Sequence, residues 1–264
     1  MAAKEGYALP DQLDERFSRT AKLLGESAAA RLRQACAVVV GLGAVGSYAA
    51  EALARAGVGA LRLVDMDVVR PSNFNRQLLA TEDALGRLKV EVGRERALSI
   101  NPACRVEALP VFAHVETFGQ ILAGAPAVVI DAIDSLTPKR ELIAAAMAAK
   151  IPVVSAMGAA LRRDASALRV ADLAETRRCP LARLLRKQLR QRGISQGVRC
   201  VYSEELNPPL LEVSEEEARA GGEGDDFKRG RPRRALGSLP TITGMAGLLA
   251  AHEALKLICD EEWN

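Results

Sequence analysis

Residues 36–40, Cys-Ala-Val-Val-Val, run directly into Gly41-Leu-Gly43-Ala-Val-Gly46. Glycines at this spacing permit a tight turn and let backbone N–H groups approach phosphate oxygens. A helix opening at the third glycine adds the positive end of its dipole. Asp65 stands 24 residues after Gly41, at the end of the next apolar run, where an acid can hold ribose hydroxyls. Up to this point the pattern is that of a nicotinamide or flavin dehydrogenase. The next residues depart from it. Asp65 belongs to Asp65-Met-Asp67, and behind it comes Pro71-Ser-Asn73-Phe-Asn-Arg76-Gln77. Asn73, Arg76 and Gln77 on one short loop can clamp a polyphosphate, because arginine presents a planar fork to phosphate oxygens. Lys89, in Gly86-Arg-Leu-Lys-Val, stands at a helix start as a compact cation. Each charge alone would be an ordinary solvated residue. In this order behind a glycine loop, they read jointly as a polyphosphate site.

The elements that must position these residues are legible as an alternation of apolar runs and amphipathic segments. Strands are predicted at 35–40, 60–64, 106–109, 127–130 and 152–155, with helices at 46–56, 87–101, 115–122 and 138–149. This rhythm predicts a Rossmann-like, doubly wound, mainly parallel α/β sheet with helices on both faces. After Gly158 the texture changes. Residues 161–164 and 168–171 alternate as short antiparallel edge strands would, so an antiparallel extension is expected. The C-terminal run 242–249 is shorter than the ~20 residues that span a bilayer. Extended to Ile258 it admits His252, Glu253 and Lys256, so a buried helix containing Gly244 and Gly247 is expected, without stable membrane insertion.

With these residues in place, the chain resembles the ubiquitin-activating-like superfamily of ATP-dependent adenylating enzymes, the ThiF, MoeB and HesA group. The matching residues are Arg16-Phe-Ser-Arg19, Gly41 to Gly46, Asp65-x-Asp67, Ser72-Asn-x-Asn-Arg-Gln77, Lys89 and Asp131-Ala-Ile-Asp134-Ser. The resemblance implies that Asp65 binds the ATP ribose, that Asn73, Arg76 and Lys89 bind phosphates, and that Asp134 holds Mg2+. It also implies a homodimer in which Arg19 crosses to the partner's ATP. One adenylating domain over 1–264 is then expected. It would comprise an N-terminal arm (1–34) carrying the arginine finger, a nucleotide-binding core (35–157) and a substrate-side half (158–264). Adenylation has a carboxylate attack the α-phosphate, so Arg, Lys and Mg2+ would neutralise the triphosphate and the leaving pyrophosphate.

Two features narrow the substrate. Sulfur-carrier activators of this group usually hold zinc in paired C-x-x-C motifs, and this sequence has no such pair, so no zinc is expected. The second half instead resembles the tRNA threonylcarbamoyladenosine dehydratase branch. The carrying residues are Asp172-Leu-Ala-x-Thr176, Pro180-Leu-Ala-Arg-x-Leu-Arg, Val201-Tyr-Ser-x-Glu205 and Gly237-Ser-Leu-Pro-Thr. The implied reaction adenylates the threonine carboxylate of the modified adenosine and closes the carbamoyl group onto it, without a catalytic thiol. Cys179 reads as incidental. The branch leaves room for a sulfur-relay or cysteine-desulfurase partner. Two competing readings stay open: a zinc-free sulfur-carrier adenylyltransferase, and a dinucleotide-binding oxidoreductase or nucleotide sensor.

Charge points to tRNA only locally. Lys plus Arg number 36 against 33 Asp plus Glu, a net +3 that is too small to announce a nucleic-acid partner. Residues 177–192, however, hold seven basic residues and no acid. Arg183, Arg186, Lys187 and Arg190 are expected on one side of a helix, opposite Leu181, Leu184, Leu185 and Leu189. Residues 214–234 read as a mobile charged loop ending in Lys228, Arg229, Arg231, Arg233 and Arg234. Both segments are candidate tRNA backbone contacts. An apolar fraction of 49% excludes wholesale disorder. The five cysteines are odd in number and widely spaced, and no apolar leader is visible. The expectation is therefore a cytoplasmic protein with reduced thiols.

Overall fold

A computed structural model describes residues 14–206 and 236–259. The expected loop at 214–234, with the cations Lys228, Arg229, Arg231, Arg233 and Arg234 at its end, lies outside these residues. Seven strands form one sheet: β1 (Cys36–Val40), β2 (Ala60–Val64), β3 (Arg105–Leu109), β4 (Val128–Asp131), β5 (Val153–Ala156), β6 (Leu168–Asp172) and β7 (Val198–Ser203). Their order is β3-β2-β1-β4-β5-β7-β6, parallel throughout except for β6, which runs antiparallel to β7. The antiparallel extension is therefore present. The helices are α1 (Ser18–Leu24), α2 (Glu26–Gln34), α3 (Gly46–Ala56), α4 (Lys89–Ile100), α5 (Phe118–Ile121), α6 (Leu136–Ala148), α7 (Pro180–Arg190) and α8 (Pro240–Cys259).

Successive strand residues point to opposite faces, and the two cores divide accordingly. Val39, Leu61, Leu63 and Ile130 pack beneath α2, α3, α4 and α8. Val38, Val40, Val64 and Val129 pack beneath α5, α6 and α7. A sheet covered on both faces needs continuous apolar strands, which is why Cys-Ala-Val-Val-Val carries no polar alternation. By length and composition α8 could cross a membrane. In the fold it is a core helix, with Ile242, Ala246, Ala250 and Ala254 at most 3% exposed. Gly247 makes this possible: a Cβ there would lie 2.3 Å from the Val45 carbonyl oxygen at the start of α3.

Two expectations are corrected, and one strand is added. Residues 161–164 form no strand, because Leu161 adopts φ 61° and the Glu205 carboxylate instead collects the N–H groups of Arg163 and Asp164. The helix expected over 115–122 shrinks to α5. Thr117 Oγ1 bonds the carbonyls of Phe112 and His114, and that local alternative delays the helix to Phe118. Strand β7 lies between β5 and β6 and has no counterpart among the predicted strands.

Candidate functional site

The strand order reverses between β1 and β4, and in such sheets the crevice beyond the carboxyl ends at the reversal is the ligand site. The glycine loop leaves β1 there, and the 131–135 loop leaves β4 beside it. The loops touch: Ala132 N–H donates to Val40 O at 2.9 Å, and a Cβ on Gly41 would lie 2.9 Å from Ala132 O. Gly41 also sits at φ 91°, which glycine adopts without strain. Gly46 opens α3 so close to Gly41 that a Cβ there would meet the Gly41 oxygen at 1.7 Å. At Gly43 the nearest atom to such a Cβ is Gln77 Nε2 at 3.9 Å. Gly41 and Gly46 thus serve the turn itself, while Gly43 leaves the backbone open on the side facing Gln77. Of the first-turn N–H groups of α3, Ser47 N–H donates to Gly43 O at 3.2 Å and Ala49 N–H to Val45 O at 3.1 Å, and the positive end of the helix dipole still faces the glycine loop, so this end suits an anion.

Asp65 closes the loop from the β2 side. Its Oδ2 accepts the Leu42 N–H at 2.7 Å and its Oδ1 the Asp67 N–H at 2.8 Å. Burial raises the Asp65 carboxyl above the usual range, and the Lys89 cation together with these N–H groups pulls the other way. Lys89 is 5% exposed and donates from Nζ to Asp67 Oδ2 at 3.1 Å. It is therefore a buried cation at the first residue of α4, its ammonium held by the Asp67 carboxylate.

The 71–77 loop divides its labour. Asn73 is 7% exposed and accepts the Arg70 N–H through Oδ1 at 3.1 Å, so that oxygen shapes the turn. Arg76 is half-buried, its guanidinium donating to Ser72 O at 2.7 Å and Asn75 Oδ1 at 2.9 Å. Two residues outside the expected set hold the loop in place. Ser47 Oγ donates to Gly43 O at 2.7 Å and accepts the Leu78 N–H at 3.3 Å, joining the glycine loop to the 71–78 segment. Asn75 Nδ2 donates to Ser238 O at 3.1 Å, and Leu161 N–H donates to Gly237 O at 2.9 Å. The 236–239 segment thus bridges the 71–77 loop and the segment that follows β5. Only hydroxyl or amide character marked Ser47 and Asn75 in the sequence, and that signal is common to many loops.

Asp134 is exposed at the crevice, three residues beyond Asp131. Arg19 lies elsewhere. Phe17 packs over Gly57, the cap at the far end of α3, with its ring 3.0 Å from where a Gly57 Cβ would stand. The same arm lines a cleft with Arg55, Arg96, Ser99 and Ile100, at the ends of α3 and α4 farthest from Gly46 and Lys89. Eleven helical residues separate the two ends of α3, about 16 Å at 1.5 Å per residue.

The basic helix needs a correction. Ala182, Leu185 and Leu189 are fully buried, but Leu184 is 46% exposed and shares the outer side with Arg183, Lys187 and Arg190. Arg186 is not part of that free face. Its guanidinium donates to Leu173 O and Thr176 O at 3.0 Å and to Thr176 Oγ1 at 2.7 Å, securing the turn before α7. Arg192 is a bidentate partner of Glu141 at 2.6 and 2.7 Å. Cys179 caps α7, its Sγ accepting the Ala182 N–H at 3.5 Å.

A glycine loop at a reversed sheet centre and an acid at the end of β2 define an α/β protein of the nucleotide-binding class. Among such proteins this chain belongs to the ThiF family, which it matches over residues 17–264. It is 40% identical over 256 residues to the tRNA threonylcarbamoyladenosine dehydratase of Escherichia coli K12, covering 94% of this chain and 95% of the relative. It is 35% identical over 246 residues to the Bacillus subtilis 168 protein of the same name, covering 93% and 96%. The crystal structure of the E. coli enzyme in complex with ATP superposes with a TM-score of 0.81 at 37% identity, covering 96% of this chain and 97% of that one.

Proposed function

We propose that this chain is an ATP-dependent tRNA threonylcarbamoyladenosine dehydratase acting in the cytoplasm. The likeness to two proteins of that name over more than nine-tenths of both chains carries the reading. The threonine carboxylate of the modified adenosine attacks the α-phosphorus of ATP and pyrophosphate leaves. The carbamoyl group then attacks the acyl carbon and AMP leaves, so the nucleoside has lost water and closed a ring. No enzyme nucleophile is required. The thiols agree with this: burial pushes Cys104 up to about 11 and raises Cys36 and Cys200 as well. The experiment is ATP–pyrophosphate exchange driven by threonylcarbamoyl-modified tRNA, with mass spectrometry of the product nucleoside. Exchange driven by a ubiquitin-like carrier protein and not by tRNA would overturn the reading.

Within that site, Asp65 takes the ribose hydroxyls. The Gly41–Gly46 loop, Asn73, Arg76, Gln77 and Lys89 take the phosphates, with Asp67 holding Lys89. Mg2+ fits here in its usual mode of one or two carboxylates completed by substrate phosphates. Among the described residues no cluster of three or more His, Cys, Asp or Glu forms a protein-only cage, whereas Asp134 offers one hard oxygen ligand at the crevice. Bound Mg2+ would supply charge neutralisation between the phosphates. Asp134→Asn is expected to raise the Mg2+ concentration for half-maximal exchange by at least about tenfold, as loss of a ligand does. An unchanged Mg2+ titration would remove Asp134 from the metal site.

The placement of the arm supports a homodimer. Arg19 comes two residues after Phe17, which is anchored at the far end of α3 about 16 Å from the glycine loop. One arginine side chain does not cover that span, so Arg19 serves a partner's site across a two-fold axis. For tRNA, the exposed cations Arg183, Lys187 and Arg190 supply backbone contacts, joined by Lys228, Arg229, Arg231, Arg233 and Arg234 outside the described residues. Replacing Arg183, Lys187 and Arg190 together by Ala should weaken tRNA binding and leave ATP binding alone. It should also flatten the log–log salt dependence by about 0.7–0.9 per lost contact. Arg186→Ala should instead lower stability by about 1–3 kcal/mol, since Thr176 O loses its donor and Leu173 O keeps only its bonds from Thr176. A triple variant with the wild-type salt slope would return α7 to an ordinary solvated face.

A further inference from the structure

Immediately behind the Asp134 loop lies a charge pair that the nucleotide site does not use. Lys139, in α6, and Asp131, the last residue of β4, are both completely buried. Lys139 Nζ donates to Asp131 Oδ2 at 2.7 Å, to Ala156 O at 2.9 Å and to Ser155 Oγ at 3.3 Å. All three ammonium protons are thereby placed. Ser155 Oγ in turn donates to Asp131 Oδ2 at 2.6 Å, and Asp131 Oδ1 accepts the Ile133 N–H at 3.1 Å. The cluster ties together the end of β4, the first turns of α6 and the end of β5. The segment it spans is 132–135, which carries Asp134 and meets Gly41 through Ala132.

Holding α6 to the sheet does not call for this. Leu142, Ile143 and Ala146 already bury that helix against the strands. A buried ion pair loses much of its attraction to desolvation, and packed apolar residues in its place are often neutral or stabilising. What an apolar pair lacks is direction. A carboxylate fixed from behind by Lys139 and Ser155 keeps its other oxygen aimed at Ile133 N–H, and this sets the path of the next residue, Asp134. We propose that Lys139 is a positioning residue for catalysis: through Asp131 it fixes the 132–135 loop and so orients the Asp134 carboxylate toward Mg-ATP. The proposal rests on Asp134 being the carboxylate that holds Mg2+.

The test is calorimetric ATP binding titrated with Mg2+, which needs no tRNA. The variant Lys139→Met/Asp131→Val replaces the charges by an apolar pair. It should melt near the wild type and bind ATP without Mg2+ equally well. Its Mg2+-dependent gain in ATP affinity should fall about 10–100-fold, the range in which loss of a supporting residue weakens a metal site. Combined with Asp134→Asn it should add nothing, because both changes act through one carboxylate. A Mg2+ response within about twofold of wild type, or full additivity with Asp134→Asn, overturns the proposal. If the double variant does not fold, Ser155→Ala decides: it leaves the ion pair and should weaken the Mg2+ response severalfold, and a wild-type response overturns the proposal. If Asp134→Asn alone leaves the Mg2+ response unchanged, the assignment of Asp134 fails and takes the proposal with it. A large Asp134→Asn effect beside an inert Lys139→Met/Asp131→Val sinks the proposal alone.

Discussion

Lys89→Met and Arg76→Ala each lower tRNA-driven ATP–pyrophosphate exchange by about 10²–10³-fold, the usual cost of removing one preorganised group from developing charge. The fold should survive both changes. Among the described residues Arg76 bonds within its own loop, to Ser72 O and Asn75 Oδ1. Methionine keeps most of the apolar stem of Lys89, and the carboxylate it leaves, Asp67, is half exposed at 50% and so keeps its hydration. Losing Lys89 has a second consequence. Burial already holds the Asp65 carboxyl above its ordinary range, and Lys89 is the main opposing influence. Its removal should push Asp65 higher still and weaken ATP binding as well as turnover, whereas Arg76→Ala should act mainly on turnover. Exchange at the wild-type rate in either variant, with melting unchanged, would take that side chain out of the phosphate site.

Mixing two dead enzymes should restore activity. Arg19→Ala and Arg76→Ala homodimers are each expected to be inactive, since every site lacks one of the two arginines. After subunit exchange half of the dimers are heterodimers, and each has one site with both residues intact. Activity should therefore recover to about one quarter of wild type if the finger acts across a two-fold interface. The position of the arm, beside the ends of α3 and α4 that point away from Gly46 and Lys89, is the reason to expect trans action. Demonstrated subunit exchange with no recovery would place Arg19 in its own chain's site or outside the chemistry.

Much of the fold was legible because its signals are local. The strand at 60–64 and the helix at 46–56 stand where periodicity put them. Strand β7 was not legible. Its residues Val-Arg-Cys-Val-Tyr-Ser mix one exposed arginine among buried neighbours, and its place between β5 and β6 is set by partners distant in sequence. The basic helix shows the same boundary at single residues. Seven cations without an acid correctly predicted a charged helix within 177–192. The sequence could not separate Arg186, held by Leu173 and Thr176, from Arg183, which faces solvent.

By itself the sequence determined the class of this protein and the residue types of its site. Gly41, Gly46, Asp65 and the 71–77 loop carry backbone and charge requirements that few other residues satisfy. Tertiary structure alone decided how those residues are held. Asp67 holds Lys89, Ser47 joins two loops, and Asn73 spends its oxygen on the turn. Tertiary structure also decided that Lys139, on the sequence an ordinary charge in the first turns of a helix, lies at 0% exposure against Asp131. The physical reason is range. Turn geometry and side-chain periodicity act between neighbours in sequence, whereas desolvation and pairing depend on which strands the parallel sheet brings together, and β4 meets β5 only after α6 has crossed over.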